Sequence, residues 1–173
     1  MSLRPVEARD RDRLLVWRNR PEVRAGMFTT HQIAPAEHAA WFARLIAKPK
    51  PFYFIAEHLG RPIGVAGFTD CDVQNRRAEW SFHIGEYDAP RGAGSAMGAM
   101  AIDAFFADGA FDKLCCSVLD GNDASLRMHR KLGFEEEGFR RRHVWRDGVA
   151  CDVHEFALFA DKWRAMRATG AAD

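Results

Sequence analysis

The sequence lacks the features that mark several large classes of protein. Its 25 basic and 24 acidic residues leave a net charge of +1, so no overall field favours nucleic acid or an anionic membrane. No apolar run approaches the roughly 20 residues that a membrane-spanning helix needs. The N-terminal segment, MSLRPVEARDRDR, is charged and has no apolar stretch typical of a signal peptide. We therefore expect a cytoplasmic protein that binds neither nucleic acid nor a membrane.

Metal-binding patterns are also missing. The four cysteines form no C-x-x-C pair, and two of them are adjacent inside an apolar run: Cys71, Cys115, Cys116 and Cys151. This spacing does not suit a zinc site, and the seven histidines are scattered without the spacing of metal ligands. The pattern is typical of buried, reduced thiols and predicts no bound metal.

The periodicity of apolar residues predicts a single domain over residues 1–173, of the α/β (α+β) class. With 47% apolar residues, a chain of this length can bury one core. Helices are predicted over Asp12–Asn19 and from Pro35, with Pro21 and Pro49 ending them, and later from Gly94 and after Asn122. The tail after Asp161 is expected to be a ragged helix or disordered. Strands are predicted at Ser2–Pro5, Phe52–Ala56, Ile63–Phe68, Arg77–Ile84, Lys113–Leu119, Phe139–Trp145 and Val149–Leu158. Two hairpins are predicted, one at the HLGRP between the second and third of these strands and one at Asp147-Gly148 between the last two.

A glycine-rich turn, PRGAGSA at Pro90–Ala96, precedes the helix that starts at Gly94. Its glycines allow close approach of a ligand to the backbone, and the free N–H groups of a helix start favour a phosphate. The turn is neither a Walker loop nor G-x-G-x-x-G. A glycine-rich helix start without any ligand is the competing interpretation.

The strand Arg77–Ile84 alternates strictly, with Ala78 and Trp80 on its apolar face and Glu79, Ser81 and His83 on the other. If helices cover the sheet, this polar face needs partners, because burying such groups alone costs roughly 1–3 kcal/mol each. The strand then lines a cleft. A half-solvated antiparallel strand would alternate in the same way.

The segment NDASLRMHRKLGF at Asn122–Phe134 has the pattern of a capped helix. Asn122 suits the N-cap, and Gly133 suits the left-handed position after the helix end. Phe134 can then fold back onto Met128 or His129. Capping leaves the presence of His129 unexplained.

These three pieces, in this order, resemble the GNAT family of acetyl-CoA-dependent N-acetyltransferases. The resemblance lies in R-x-x-G-x-A from Arg91 to Ala96, in Asn122-x-x-Ser125, and in the KLGF at Lys131–Phe134. It implies a mixed, mostly antiparallel, twisted sheet that splays between its central strands, flanked by helices. It also implies acetyl-CoA as co-substrate and direct attack of a neutral amine on the thioester.

The same resemblance implies a set of residues that bind acetyl-CoA. The glycine-rich turn would hold the pyrophosphate, and the end of the central strand would lie along the pantetheine, with an N–H near His83 or Ile84 polarising the thioester carbonyl. The next helix would contact the pantetheine or its phosphates. These residues are His83, Ile84, Gly85, Arg91, Gly92, Ala93, Gly94, Ser95, Ala96, Asn122, Ser125 and His129.

Glu79, His83 and His129 are the candidate catalytic residues. Glu79 or His83 would act as the base, through water, although both could instead contact substrate hydroxyls. His129 stands where many members of the family have a tyrosine that protonates the leaving thiolate. A neutral imidazole could still donate an N–H hydrogen bond, whereas a charged imidazole, which the dipole favours at a helix C-terminus, could deliver that proton. The competing interpretation is a histidine that only satisfies the helix end.

Segments near the N-terminus narrow the resemblance. WRN at Trp17–Asn19, PEVRAGMF at Pro21–Phe28, and Glu37-His38 followed by Trp41-Phe42 are similar to family members that act in pseudaminic acid biosynthesis, which serves flagellin glycosylation. Those enzymes acetylate the 4-amino group of a UDP-linked 4-amino-4,6-dideoxy-N-acetyl altrosamine. By this resemblance the residues that bind the nucleotide sugar are Arg18, His38, Thr69, Glu79 and His83. An aromatic residue expected near the end of the central strand is replaced by His83.

Two other functions fit the sequence. The pattern EEEGFRRR…RDG…D is shared with ribosomal-protein N-terminal alanine acetyltransferases. A catalytically silent module that binds acyl-CoA and regulates another process is the third interpretation. A homodimer is among the assemblies that the resemblance allows.

Overall fold

The computed structural model describes residues 1–47 and 52–170. Among these residues, seven strands form one sheet in the order β1-β2-β3-β4-β5-β7-β6. The strands are β1 (Ser2–Pro5), β2 (Tyr53–His58), β3 (Arg61–Asp72), β4 (Arg77–Ile84), β5 (Lys113–Leu119), β6 (Glu135–Arg146) and β7 (Val149–Phe159). The helices are α1 (Arg11–Asn19), α2 (Pro21–Ala25), α3 (Pro35–Ile46), α4 (Ala93–Phe106), α5 (Asp123–Lys131) and α6 (Ala160–Ala168), with a short 3₁₀ helix at Ala8–Asp10.

Tight turns set the register of the two hairpins that the sequence predicts. Leu59 and Gly60 join β2 to β3 with φ angles of 52° and 76°, and Asp147 and Gly148 join β6 to β7 with 48° and 82°. Two consecutive positive φ angles match the twist of antiparallel strands, and the second position in each turn is the glycine that tolerates them. Both predicted hairpins are confirmed.

The centre of the sheet opens into a cleft. β4 and β5 are parallel, and they pair only from Arg77 opposite Lys113 to Glu79 opposite Cys115. Beyond Glu79 the two strands separate, whereas the remaining neighbours in the sheet are antiparallel. The predicted mixed, mostly antiparallel sheet with a splay between its central strands is confirmed.

Helices cover both faces of the sheet. The larger core includes Phe68, Trp80 and Phe134 and extends to α4, α5 and α6. A smaller cluster on the opposite face packs Leu14, Trp17 and Phe42 against Ile55 and Val65. The polar residues of β4 therefore face a partly covered surface, as the alternation in its sequence suggests.

Two predictions about helix ends differ from the structure. Pro21 follows the end of α1, but it also starts α2, because proline is favoured in the first turn of a helix. After Asp161 the chain continues in the regular helix α6 as far as Ala168, and the Trp163 ring is only 2% exposed and donates a hydrogen bond to Asp103 at 2.9 Å. The short tail thus has a buried aromatic anchor. Pro49 lies outside the described residues.

Two features are absent from residues 1–47 and 52–170. No helix there is long and apolar enough to cross a membrane. The same residues contain no group of three or more His, Cys, Asp or Glu side chains that could hold a metal ion.

Candidate active site

The splay between β4 and β5 forms a cleft of about 730 Å³. The polar face of β4, the start of α4 and the first turns of α5 all contribute to its wall. Loop residues after α2 cover part of it. The predicted acetyl-CoA residues that line the cleft are His83, Ile84, Gly92, Gly94, Ser95, Asn122, Ser125 and His129. Predicted residues from distant segments are therefore brought together at one site.

The start of α4 can bind an anion. Gly92 adopts φ = 84°, and a Cβ at Gly94 would touch only Ile84, at 4.0 Å, so the Gly94 backbone faces open space. The amides of Gly94 and Ser95 have no acceptor among the described residues, as expected in a first helical turn. With the positive end of the helix dipole, they suit a phosphate.

Four residues of the predicted cofactor set lie outside the lining of the cleft. Arg91 and Ala96 are solvent-exposed, and Ala93 is buried in the core. Gly85 is packed beneath Trp17, whose ring would overlap any Cβ added there, and the Gly85 N–H donates to Ile63 O at 2.8 Å. Gly85 therefore shapes the end of β4 by allowing Trp17 to approach.

Helix α5 has the caps that its sequence predicts. Asn122 accepts a hydrogen bond from the Ser125 N–H at 3.2 Å. At the other end, Gly133 has φ = 85°, and Phe134 N–H donates to His129 O at 3.0 Å, which is the Schellman arrangement. The Phe134 ring meets the His129 ring edge-on, with centroids 5.0 Å apart. The capped N-terminus of α5 therefore lies at the cleft. The cap at the C-terminus places Phe134 against His129.

Glu79 lies at the closed end of the splay. Burial raises the pKa of its carboxyl, and the negative charges of Glu155 and Asp70 raise it further. Glu155 accepts a hydrogen bond from Ser117 at 2.9 Å, while Thr69 lies opposite Glu79 on β3. Sequence analysis missed Asp70, Ser117 and Glu155, because they come from three other strands and no local motif marks them.

A second pocket, of about 350 Å³, lies beneath α1 and α3. Arg18 and His38 contribute to its wall, together with Tyr53, which sequence analysis missed. Ser81 and His83 line both this pocket and the cleft, so the two cavities meet at β4. Thr69, predicted to bind the same ligand as Arg18, lines the cleft instead.

Three side-chain nitrogen atoms of the second pocket are buried. Within the part of the chain that the structure describes, Arg18 Nη1, His38 Nε2 and His83 Nε2 have no hydrogen-bond partner. Burial lowers the pKa of His83 to about 4, and the nearby charge of Arg18 acts in the same direction. Burial also lowers the pKa values of His38 and Arg18. At neutral pH the pocket therefore contains neutral imidazoles and a guanidinium.

His129 is buried rather than exposed at the helix end. Its side chain is 2% exposed and is surrounded by the rings of Trp80, Phe82, Phe134 and Phe156. Burial lowers the pKa of His129 to about 4, although its hydrogen bond to Ser125 opposes the shift. Desolvation thus outweighs the helix dipole, and the pKa shift runs against the charged imidazole expected at this helix end.

The geometry is accompanied by clear similarity to known proteins. Residues 1–135 match the model of the acetyltransferase (GNAT) domain. An uncharacterized N-acetyltransferase of Bacillus subtilis (strain 168), the SPbeta prophage-derived YokL, is 28% identical over 125 residues, which are 71% of this chain and 70% of YokL.

Solved structures share the fold. The spermidine N-acetyltransferase of Vibrio cholerae, in complex with CoA and spermine, superposes with a TM-score of 0.85 at 19% identity, covering 94% of this chain and 97% of that one. A ribosomal-protein-alanine N-acetyltransferase of Brucella melitensis gives 0.78 at 20% identity, covering 92% and 99%. At such identities the likeness establishes the fold alone.

The chain belongs to the GNAT family of acetyltransferases. It is an acetyl-CoA-dependent acetyltransferase, as the sequence predicts.

Proposed function

We propose that this enzyme transfers an acetyl group from acetyl-CoA to the 4-amino group of a UDP-linked amino-dideoxy sugar, as in pseudaminic acid biosynthesis. The observation that carries the proposal is the half-buried Arg18 guanidinium, whose buried Nη1 has no hydrogen-bond partner among the described residues. Arg18 lines a pocket that joins the cleft at Ser81 and His83. A buried charge without a partner is costly, so this site favours an anionic ligand.

A diphosphate has the charge and shape that suit Arg18. Guanidinium groups bind phosphate oxygens through two parallel hydrogen bonds, which also orient the ligand. The carboxylate of Glu37, which also lines the pocket, is hydrogen-bonded to His31 Nε2 at 3.1 Å, and its charge favours the charged form of Arg18. His38 and His83 can contact hydroxyl groups of a ligand through their buried Nε2 atoms. In a neutral imidazole, Nε2 donates a hydrogen bond when it carries the proton and accepts one when it does not, and a hydroxyl group can be the partner in either case. The pocket therefore supports recognition of a phosphorylated sugar.

Other acceptors fit this pocket less well. The Vibrio cholerae neighbour was solved with spermine, but a polyamine is cationic and would be repelled by Arg18. The Brucella melitensis neighbour is a ribosomal-protein-alanine N-acetyltransferase, and an N-terminal alanine supplies no anion for Arg18. That peptide acceptor is the second candidate, because the sequence pattern from Glu135 to Asp152 is compatible with it.

The chemistry assigns a separate task to each group around the cleft. Glu79 accepts the proton of the acceptor ammonium, through water, because its raised pKa brings it nearer to neutral pH than an ordinary carboxylate. His83, whose pKa is about 4, is a weaker base than its type suggests and contacts the acceptor instead. The edge of β4 that β5 leaves unpaired beyond Glu79 offers N–H groups to the thioester carbonyl. The amides of Gly94 and Ser95 hold the pyrophosphate.

A comparison of acceptors tests the proposal. The purified enzyme is mixed with acetyl-CoA and with a UDP-4-amino sugar, an alanine-initiated peptide or spermidine, and the release of free thiol is followed. We expect kcat/KM for the UDP-sugar to exceed that for the others by about 10-fold to 100-fold, which is the value of hydrogen bonds to a charged group. Absence of turnover with the UDP-sugar contradicts the proposal, and turnover with the peptide alone supports the second candidate.

Two variants separate an enzyme from a silent CoA-binding module. Glu79→Ala and His83→Ala should each lower turnover of the UDP-sugar while CoA still binds. If both variants keep the activity of the original enzyme, the residues do not act in acetyl transfer and the assignment of the site is wrong.

A further inference from the structure

The hydrogen bond of His129 fixes which of its ring nitrogens carries the proton. Nδ1 lies 2.8 Å from the carbonyl oxygen of Ser125, and a carbonyl oxygen can only accept. Because the buried ring is neutral, its single proton must therefore be on Nδ1. Nε2 then has a lone pair and no hydrogen, so it can accept a hydrogen bond but cannot donate one.

The acceptor atom belongs to a buried residue of the cleft wall. His129 lines the cleft between β4 and β5, and its Nε2 has no hydrogen-bond partner among the described residues although the side chain is only 2% exposed. The ring is held against rotation, since Phe134 and Trp80 meet it edge-on at centroid distances of 5.0 and 5.5 Å. Buried acceptors are seldom left unpaired in native proteins, so a donor from the ligand is expected here.

We propose that Nε2 of His129 accepts a hydrogen bond from the reactive arm of CoA, either from the thiol or from an amide N–H of the pantetheine. This role is the reverse of proton donation to the leaving sulfur. It depends on the acetyl-CoA activity of the family and not on which amine is acetylated.

The role has a consequence for the protons of the reaction. A C–N bond forms and the C–S bond breaks, and the acceptor ammonium loses two protons: one goes to Glu79 through water, and the other ends on the sulfur to make the thiol. Because Nε2 has no proton to give, the proton that reaches the sulfur comes from the attacking nitrogen. The new S–H is a weak donor, and Nε2 is placed to accept from it.

Nitrogen NMR on the unmodified enzyme tests the tautomer and the contact. In protein labelled with ¹⁵N at histidine, the His129 signals are assigned by their loss in His129→Phe. We expect a protonated Nδ1 and an unprotonated Nε2 at neutral pH, and a shift of the Nε2 signal to lower frequency when CoA is added. A protonated Nε2, or an Nε2 signal that does not move at saturating CoA, overturns the proposal.

Binding measurements identify the donor. His129→Phe keeps an aromatic ring in the aromatic cage, and circular dichroism checks its fold; His143→Phe, outside the cleft lining, is the matched control. Loss of one net hydrogen bond corresponds to a reduction in affinity of about twofold to tenfold. A reduction for CoA but not for desulfo-CoA or acetyl-CoA identifies the thiol, and an equal reduction for all three identifies the amide. Unchanged affinity for all three in folded His129→Phe contradicts the contact.

Discussion

Burial shifts the pKa values of the titratable groups around the cleft in opposite directions for histidine and glutamate. The pKa values of His83 and His129 fall to about 4, because both rings lose water and gain no anionic partner. The pKa of Glu79 rises, because the same loss of water is joined by the repulsion of Glu155 and Asp70. Desolvation therefore weakens the histidines as bases and strengthens the glutamate. Residue type alone would have favoured histidine at neutral pH.

Glu79→Gln should lower kcat by about 100-fold or more with little change in acetyl-CoA affinity, since it removes the proposed base and keeps the shape of the side chain. Steady-state rates together with CoA titration of the same preparations measure both effects. An unchanged kcat would show that another group takes the proton.

Asp70→Asn tests whether the charge of Asp70 raises the pKa of Glu79. Removing the Asp70 charge lowers the pKa of Glu79, because that charge contributes to raising it. The base must be deprotonated to act, so activity is lost as pH falls through its pKa. The acid limb of the kcat/KM profile should therefore move to lower pH in Asp70→Asn. A limb that stays in place would exclude Glu79 as the group that titrates.

The buried His129 should make stability depend on pH. An unfolded histidine binds a proton below about pH 6.5, whereas the folded His129, with a pKa of about 4, does not. The unfolded state therefore binds more protons between these values, and stability falls as pH decreases from 6.5 to 4. Between pH 7 and pH 5 we expect His129 to account for a loss of about 2 kcal/mol.

Urea unfolding at both pH values measures this loss, and His129→Phe should reduce the difference between them by the stated amount. His143→Phe, which removes an exposed histidine, should leave the difference nearly unchanged. Equal pH dependence in the original enzyme and His129→Phe would mean that His129 titrates normally in the folded state.

The helix starts at α4 and α5 are built differently although both face the cleft. In α5 the Asn122 side chain caps the helix, so one of its first amides is satisfied within the protein. In α4 the residue before the helix is Gly92, which has no side chain to cap with, and the amides of Gly94 and Ser95 stay free among the described residues. The uncapped helix is the one suited to an anion.

Gly94→Val should weaken CoA binding by about tenfold, the value of one hydrogen bond to a charged group. The added side chain points into open space in the cleft, where only Ile84 lies within 4 Å, so the fold should tolerate it. Ala96→Val is the control, because Ala96 is in the same turn but is exposed outside the cleft lining. Calorimetric titration with CoA compares the two, and equal affinities would refute the placement of the pyrophosphate.

Local patterns in the sequence predict most of the helices and strands, because their causes are local. The alternation of Arg77–Ile84, the Asp147-Gly148 turn and the caps of α5 are all confirmed. For the tail after Asp161 the sequence leaves a ragged helix and disorder both open, since the order of α6 comes from Trp163 reaching Asp103 on α4, a contact between distant segments. The burial of His129 has the same kind of cause: its four surrounding rings come from three separate parts of the chain.

The site depends still more on long-range contacts. Its glycine-rich turn and polar strand are visible in the sequence, but the grouping of Asp70 and Glu155 around Glu79 is not. Nor does the sequence indicate that Arg91 and Ala96 lie outside the cleft, since the helical rotation that points them away is a property of the folded turn. A sequence motif therefore predicts which segment of the chain forms the site more accurately than it predicts which side chains of that segment line the cleft.

The sheet is continuous but narrow at its centre. β4 and β5 pair over three positions, whereas core residues of β3, β4, α4, β5 and α6 belong to one cluster that extends across this junction. We expect residues 1–173 to unfold as one cooperative unit, with a calorimetric enthalpy equal to the van't Hoff enthalpy. Two resolved transitions would instead indicate halves that unfold separately on either side of the cleft.

The most direct test of the whole account is the contribution of Arg18 to selectivity. We propose that its unpaired guanidinium selects acceptors that carry a phosphate, so the measurement is the ratio of kcat/KM for the UDP-4-amino sugar to that for the same amino sugar without the nucleotide. In Arg18→Met, which keeps the length of the apolar stem, this ratio should fall by about 10-fold to 100-fold while the rate with the free sugar stays nearly the same. An unchanged ratio would contradict the account.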